Sequence, residues 1–366
     1  MWSPVGPLAP RFAGLLVALS LLLGACASNP SPSPSAPAGA AGGSQPAASG
    51  ASQAPAASPS SQPTIIRQMW GAVAGSNILV WMVPELGLDR KYGLKVELGQ
   101  IDGGGRAAIQ ALLAGEADSV CINMDAVIAA DLEGADLVVV GTGNPYLLSS
   151  LYALPDVPDM AALKGKSIAV SRLGSLSDFA AKMMVKQHGL EPNSDVAIVQ
   201  TGSVPNVLAA LESRQIPAAS MSPPQSFIAG KLGFRELTNT YGVPYVASAV
   251  TFPRQWLAQR NAAVDNYLKA WLDAIAVAKR DRAATLDVMR RYMKIDDEEI
   301  LNQTYELHIQ QLLPEVPRIP IEGVQIMMDE LGQSLPKARE SRPEEFYDNG
   351  FLDRLEASGF VASLYR

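Results

Sequence analysis

Three adjacent glycines, Gly103-Gly104-Gly105, followed by Arg106, are the first residues whose types and spacing point to a chemical task. Glycine lets the backbone turn tightly and brings its N–H groups close to a small ligand. Further turns carry groups of the same kind. Ser76 and Asn77 precede an apolar run, and Asn123 and Met124 follow one. Gly174, Ser175 and Ser177 stand before another, and Gly202 and Ser203 repeat that arrangement. Asn144 closes Gly141-Thr142-Gly143-Asn144 after an apolar stretch. Main-chain donors, hydroxyls and amides at helix starts suit an anionic oxygen. The same residue types cap helices, and the sequence leaves both uses open. Arg106 and Arg172 are the cations nearest these turns; each can pair with a sulfonate, carboxylate or phosphate, or remain solvated. Trp70 and Tyr146 can stack on a flat ligand or form core and cleft wall.

Catalytic chemistry has less to stand on. Neither of the two histidines, His188 and His308, accompanies a nucleophile, and their spacing suggests no metal site. No G-x-S-x-G elbow or Walker loop is present, and the glycine triplet lacks the spacing of the dinucleotide fingerprint. No enzymatic activity, cofactor or metal is therefore expected. Cys121 falls in an apolar strand and reads as a buried, inert thiol. With Cys26 far off in a different setting, no disulfide framework is indicated.

The elements that must position these turns alternate between strand and helix. Strands are expected over residues 64–69, 94–98, 119–122, 137–140 and 147–154, with helices over 78–86, from Arg106 to Gly115, and over 124–133. Pro84 forces a kink or an early stop in the helix over 78–86. After Pro155 and Pro158 the pattern restarts: strands over 167–171, 196–200, 218–221 and 234–237, helices over 178–188, 205–213 and 223–229. A return strand over 245–251 is followed by helices over 262–280, 283–293, 298–312 and 321–331, a tail expected to pack on the first lobe. Such alternation indicates βαβ units and mostly parallel sheets, with ligands at the carboxyl ends of the strands. A faint echo links Ala111-Leu112 in the first half with Ala210-Leu211 in the second, each ending a helix that leads into a strand.

The 366 residues suffice for two domains. A balance of 29 basic to 36 acidic residues, net charge −7, argues against a nucleic-acid partner. At the N-terminus, Arg11 precedes an apolar run over 12–23, the length of a signal-peptide core and short for a membrane span. It ends in Leu23-Gly24-Ala25-Cys26, which resembles a bacterial lipobox and makes Cys26 the candidate lipidation site. The uncharged Ala/Ser/Pro stretch that follows cannot bury a core and reads as a disordered tether reaching on the order of 35 Å.

Taken together, these features resemble the substrate-binding proteins of ABC importers, within them the nitrate/sulfonate/taurine-binding and thiamine-precursor-like group. The resemblance is carried by Tyr92-Gly93-Leu94-Lys95-Val96-Glu97, by Ala111-Leu112 with Gly115 and Asp118, and by Lys164-Gly165-Lys166. It extends over most of residues 64–260 and is diffuse beyond. The family commonly repeats its Gly and Asp where this chain has Arg214 and Pro217. The resemblance implies an α/β, two-lobed periplasmic-binding-protein fold of type II, each lobe a mixed, mostly parallel sheet flanked by helices, with a helical C-terminal extension. Its expected divisions are a signal peptide over 1–25, a lipid-anchored linker over 26–63, lobe I over 64–155 plus 248–366, and lobe II over 156–247. The implied function is capture of a small anionic solute, sulfonate-, taurine- or nitrate-like, or an aromatic or pyrimidine-like one. An exported monomer, held to the membrane through Cys26, would deliver it to an ABC permease and ATPase. The alternatives are a ligand-sensing lipoprotein on the same scaffold or a pyrimidine-synthesising enzyme of the thiamine-precursor type.

Overall fold

The computed structural model describes residues 62–366. The expected signal segment, Cys26 and the linker up to residue 61 lie outside the described residues. Ten strands follow in order: β1 (Thr64–Trp70), β2 (Leu94–Gln100), β3 (Ser119–Ile122), β4 (Leu137–Leu147) and β5 (Ser150–Ala153) come first. Then come β6 (Ser167–Val170), β7 (Ala197–Gln200), β8 (Ala218–Met221), β9 (Arg235–Asn239) and β10 (Val243–Pro253). Among the helices, α1 (Ile78–Glu85), α2 (Leu88–Lys91), α3 (Gly104–Leu113) and α4 (Met124–Leu132) belong to the first half, and α5 (Leu176–Gln187), α6 (Val204–Glu212) and α7 (Gln225–Lys231) to the second. The tail holds α8 (Arg254–Gln259), α9 (Asn261–Arg280), α10 (Arg282–Met293), α11 (Glu298–Tyr305) and α12 (Ile321–Leu331).

The strands form two five-stranded mixed sheets, β2-β1-β3-β10-β4 and β7-β6-β8-β5-β9. Both sheets have the same plan: four strands run one way, and one reversed strand, β10 in the first and β5 in the second, lies antiparallel between the third and the last. This is the two-lobed α/β architecture the sequence leads one to expect. The echo between Ala111-Leu112 and Ala210-Leu211 is real in space, because α3 leads into β3 as α6 leads into β8. Gly115 after α3 has φ +73°, and Arg214, its counterpart after α6, has φ +55°. The second turn thus keeps its left-handed geometry without glycine, which costs an ordinary residue roughly 1–2 kcal/mol.

The strands that cross between lobes differ from expectation. Ser150–Ala153, assigned to the first lobe by its position in the chain, pairs with β8 and β9 in the second sheet. Val243–Pro253 belongs to the first sheet from its start, paired with β3 and β4. The expected strand over 147–154 is therefore divided at Leu148-Ser149, where the chain passes from one sheet to the other. At this crossing Thr240 N–H donates to the Ser149 carbonyl (2.9 Å), and its hydroxyl donates to that of Leu147 (2.9 Å). The expected turn Gly141–Asn144 lies inside β4, which runs unbroken because β10 pairs along it. Gly143 is needed there for close approach: a Cβ would stand 2.4 Å from the Ser76 carbonyl oxygen. The expected helix over 298–312 is likewise two pieces, α11 and a π-helical segment, Glu306–Gln311.

One face of the first sheet packs against α1, α9 and α10 around Trp81, Tyr267 and Trp271, so the tail completes the first lobe as expected. Trp81 is fully buried and stacks on Tyr292 of α10 with centroids 5.0 Å apart. On the other face α3, α4 and α12 enclose a core that continues into the second lobe, where Phe179 meets Tyr245 at 5.2 Å. Lys186 of α5 pairs with Glu330 of α12 at 2.8 Å across the same junction. Replacing Trp81 by Ala should lower unfolding stability by about 3–5 kcal/mol in denaturant titration. A loss below about 1 kcal/mol would show that α10 does not complete the first lobe.

Candidate functional site

Parallel strands end where their helices begin, so both sheets direct their carboxyl ends toward one cleft. The cleft encloses about 1110 Å³ and is lined from both lobes. Four helix starts border it, those of α3, α4, α5 and α6, and their partial positive charge favours an anion.

In the glycine loop the three residues do different work. Gly104 has φ +73°, a conformation that favours glycine, and a Cβ there would lie 3.6 Å from Cδ of Arg172 in the other lobe. Gly105 lets α3 approach α4, since a Cβ would stand 2.6 Å from that of Ala126. At Gly103 the conflict would be with Ala107, at 2.2 Å. The loop therefore has as much to do with helix packing as with presenting donors. Asn123 precedes α4 without capping it, which leaves its amide on the cleft wall. Arg172 is half-buried, lines the cleft and forms no ion pair with any described residue. Arg106 also lines it, but exposed at the rim.

The hydroxyls of the second lobe are largely committed to the fold. Ser175 caps α5, accepting from Asp178 N–H at 3.4 Å, and Ser171, Ser175 and Ser177 form a triangle of hydroxyls 3.0 Å apart. Gly174 donates to the Asp178 carboxylate at 2.9 Å. Ser203 caps α6 through Asn206 N–H at 3.4 Å. In the first lobe Asn77 is similarly engaged: it donates to the Ala72 carbonyl (2.7 Å) and accepts from Ser248 (2.8 Å), pinning the loop after β1. Asn144 accepts from Tyr146 N–H at 3.1 Å, and both line the cleft. Ser76 lines it as well, with its carbonyl against Gly143.

Three expected site residues do not line the cleft. Trp70 points to the opposite face of the first sheet, because strand alternation places it with Ile66 and Gln68. There its ring meets Trp81 edge-on at 5.3 Å, so it is core. Met124 is fully buried between α4 and the sheet. Gly202 turns away from the cavity, and its N–H donates to the Ser171 carbonyl at 2.8 Å.

Asp125 and His308 are among the lining residues that the sequence does not single out. Asp125, in the first turn of α4, is 8% exposed. Burial, reinforced by the charge of Asp178 from the other lobe, lifts its carboxyl to about 6, although main-chain N–H groups and the Tyr245 hydroxyl pull the other way. In sequence it is simply an acid at a helix start, a common favourable placement. His308 arrives from the tail, far from the strand-end turns, and nothing local marks it. Cys121 is buried, its thiol donating to the Ser248 carbonyl at 3.2 Å and raised well above its ordinary pKa by burial, as befits an unreactive group. Among the described residues no cluster of His, Cys, Asp and Glu could hold a metal ion.

The NMT1-like family matches residues 77–291 of this chain. A protein of Brachyspira hyodysenteriae (strain ATCC 49526 / WA1), named an ABC transporter periplasmic binding protein, is 28% identical over 226 residues. The match covers 57% of this chain and 64% of that relative, just under two thirds of its length. Among solved structures, the alkanesulfonate-binding protein SsuA from Xanthomonas axonopodis pv. citri, bound to MOPS, superposes with a TM-score of 0.62 at 19% identity, covering 75% of this chain and 94% of SsuA. The periplasmic nitrate-binding protein NrtA from Synechocystis PCC 6803 gives 0.66 at 13% identity, covering 83% and 91%. At these identities the likeness establishes the periplasmic-binding-protein fold.

Asp125 makes stability depend on pH in a defined direction. Its folded-state value of about 6 exceeds the unfolded one, so folding binds a proton between the two and is favoured as pH falls through that window. Above it, the buried charge weakens the fold. Asp125→Asn should gain most over wild type near pH 8, and this advantage should shrink by up to about 3 kcal/mol toward pH 4 in urea titrations. A difference that does not change with pH would contradict the raised value.

Proposed function

Because the chain belongs to the NMT1-like family, we propose that it is the solute-binding component of an ABC importer, holding a small organic anion between its lobes. The observation that carries this reading is the cleft itself, where Arg172 of one lobe lies against Gly104 of the other and four helix starts converge. A solute held there touches both lobes only when they are closed, so its binding energy favours closure. The closed form is then what a permease and its ATPase receive. The alkanesulfonate-binding and nitrate-binding proteins that share this fold support an anionic solute. The volume of about 1110 Å³ suits an organic sulfonate or carboxylate better than nitrate alone.

The sequence before the folded body supports export and anchoring: an apolar segment, then Cys26 in a lipobox-like setting, then an uncharged tether. A monomer on this leash samples the space above the membrane and meets its permease there. The wall groups bind and orient; no nucleophile is paired with a base among the described residues, and no metal or cofactor enters the reading.

Thermal-shift screening of the full chain against taurine, MOPS, short alkanesulfonates, nitrate, small carboxylates and pyrimidines should reveal a ligand. At a hundredfold excess over Kd, stabilisation should reach about 2.7 kcal/mol. Arg172→Ala should weaken an anionic hit roughly 10- to 100-fold, the worth of a charged hydrogen bond, without lowering the melting temperature of the free protein. Failure of every compound, or equal affinity in the variant, would contradict the reading. Cys26→Ala should shift the protein from the membrane to the soluble fraction while leaving solute affinity unchanged; retention in the membrane would rule out the anchor.

A further inference from the structure

We infer that His308 contacts the solute, and that the group it meets is uncharged and carries both a donor and an acceptor, such as a hydroxyl or an amide. The inference rests on the cleft being the solute site. His308 lines the cleft, yet it lies outside the residues that match the family and outside every strand-end turn.

Its surroundings are unusual in three ways. The side chain is 6% exposed, and neither Nδ1 nor Nε2 has a hydrogen-bond partner among the described residues. A polar group buried in this way costs stability unless something else completes it. The chain that delivers it, Glu306–Gln311, is π-helical, a local departure from the α-helix that is frequent at functional sites. Opposite the ring stands Gly75, where a Cβ would lie 2.3 Å from Nε2 and 2.4 Å from Cδ2. Gly75 in turn donates to the Pro223 carbonyl of the second lobe at 3.4 Å. The imidazole therefore occupies the seam between lobes, in a space kept clear for it. A leucine there would leave no side-chain polar atom unpaired.

Burial lowers the imidazole to about 4, so at neutral pH the ring is uncharged, with one N–H donor and one acceptor nitrogen. An anionic oxygen satisfies only the donor. A hydroxyl or amide satisfies either nitrogen, which assigns the uncharged polar end of the solute to His308 and leaves its anionic end to Arg172 and the helix starts.

The test compares full-length wild type with His308→Leu, His308→Gln and Gly75→Ala, using isethionate and ethanesulfonate, which differ by one hydroxyl. Wild type should prefer isethionate by at least about tenfold in calorimetry. His308→Leu and Gly75→Ala should abolish that preference, and His308→Gln, which keeps a donor and an acceptor, should retain part of it. Free His308→Leu should melt at or above the wild-type temperature, because it removes two unpaired polar atoms. An unchanged preference in His308→Leu, or a wild type that binds both sulfonates equally, overturns the inference while leaving the cleft reading intact. If wild type binds neither sulfonate, the choice of short sulfonates as solute fails, and the free proteins decide the role of His308. Melting of His308→Leu several degrees below wild type then makes His308 a structural residue and overturns the inference.

Discussion

Thr240 ties together the two segments that cross between the sheets, through its N–H to Ser149 and its hydroxyl to Leu147. Ser149 extends the contact to Ser220 of the second sheet at 3.0 Å. Among the described residues the chain passes between the sheets only at these segments, and the Phe179–Tyr245 contact and the Lys186–Glu330 pair join the lobes beside them. Rotation about the two crossing segments leaves each sheet intact, which is how hinge closure works in two-lobed proteins. The same crossing exchanges strands: β5 completes the second sheet and β10 the first. Neither sheet is complete without a strand lying beyond the hinge.

The two sides of the cleft contribute unequally. In the second lobe the serines cap α5 and α6 and bond one another, so Arg172 is its principal uncommitted polar group. The first lobe presents Asn123, which caps nothing, and the start of α3, which no side chain caps. Asp125 opposes this anion-favouring field from the same wall, and burial raises its carboxyl to about 6. Helix starts and the lining arginines Arg106 and Arg172 together favour a solute with an anionic end and a polar body over a bare inorganic ion.

Much of the fold was legible in local patterns, for identifiable reasons. Alternation of strand and helix set the element order, and Gly115 and Arg214 mark equivalent turns even though only one is glycine. The strand exchange was hidden, because whether Ser150–Ala153 joins the first or second sheet depends on pairing with β8 and β9, distant in sequence. Gly141–Asn144 has the composition of a turn, but partnering by β10 keeps it extended. At the site, serine before a helix fits both capping and ligand contact, and only geometry separates Ser175 and Ser203 from Asn123. Trp70 stayed open between ligand stacking and core in the sequence, because one residue of strand register decides between cleft and core. His308 gave no signal, since its place on the cleft wall follows from the return of the tail across the first lobe.

The central claim is that a solute bridges the lobes between the Gly103–Gly105 loop and Arg172. Hydrogen-exchange mass spectrometry with a saturating organic anion tests this most directly, because the two walls fall in well-separated peptides. Slowed exchange should appear together at the start of α3 and in the segment from Arg172 to the start of α5. Protection of one wall alone, or of neither while the anion is bound, would contradict it.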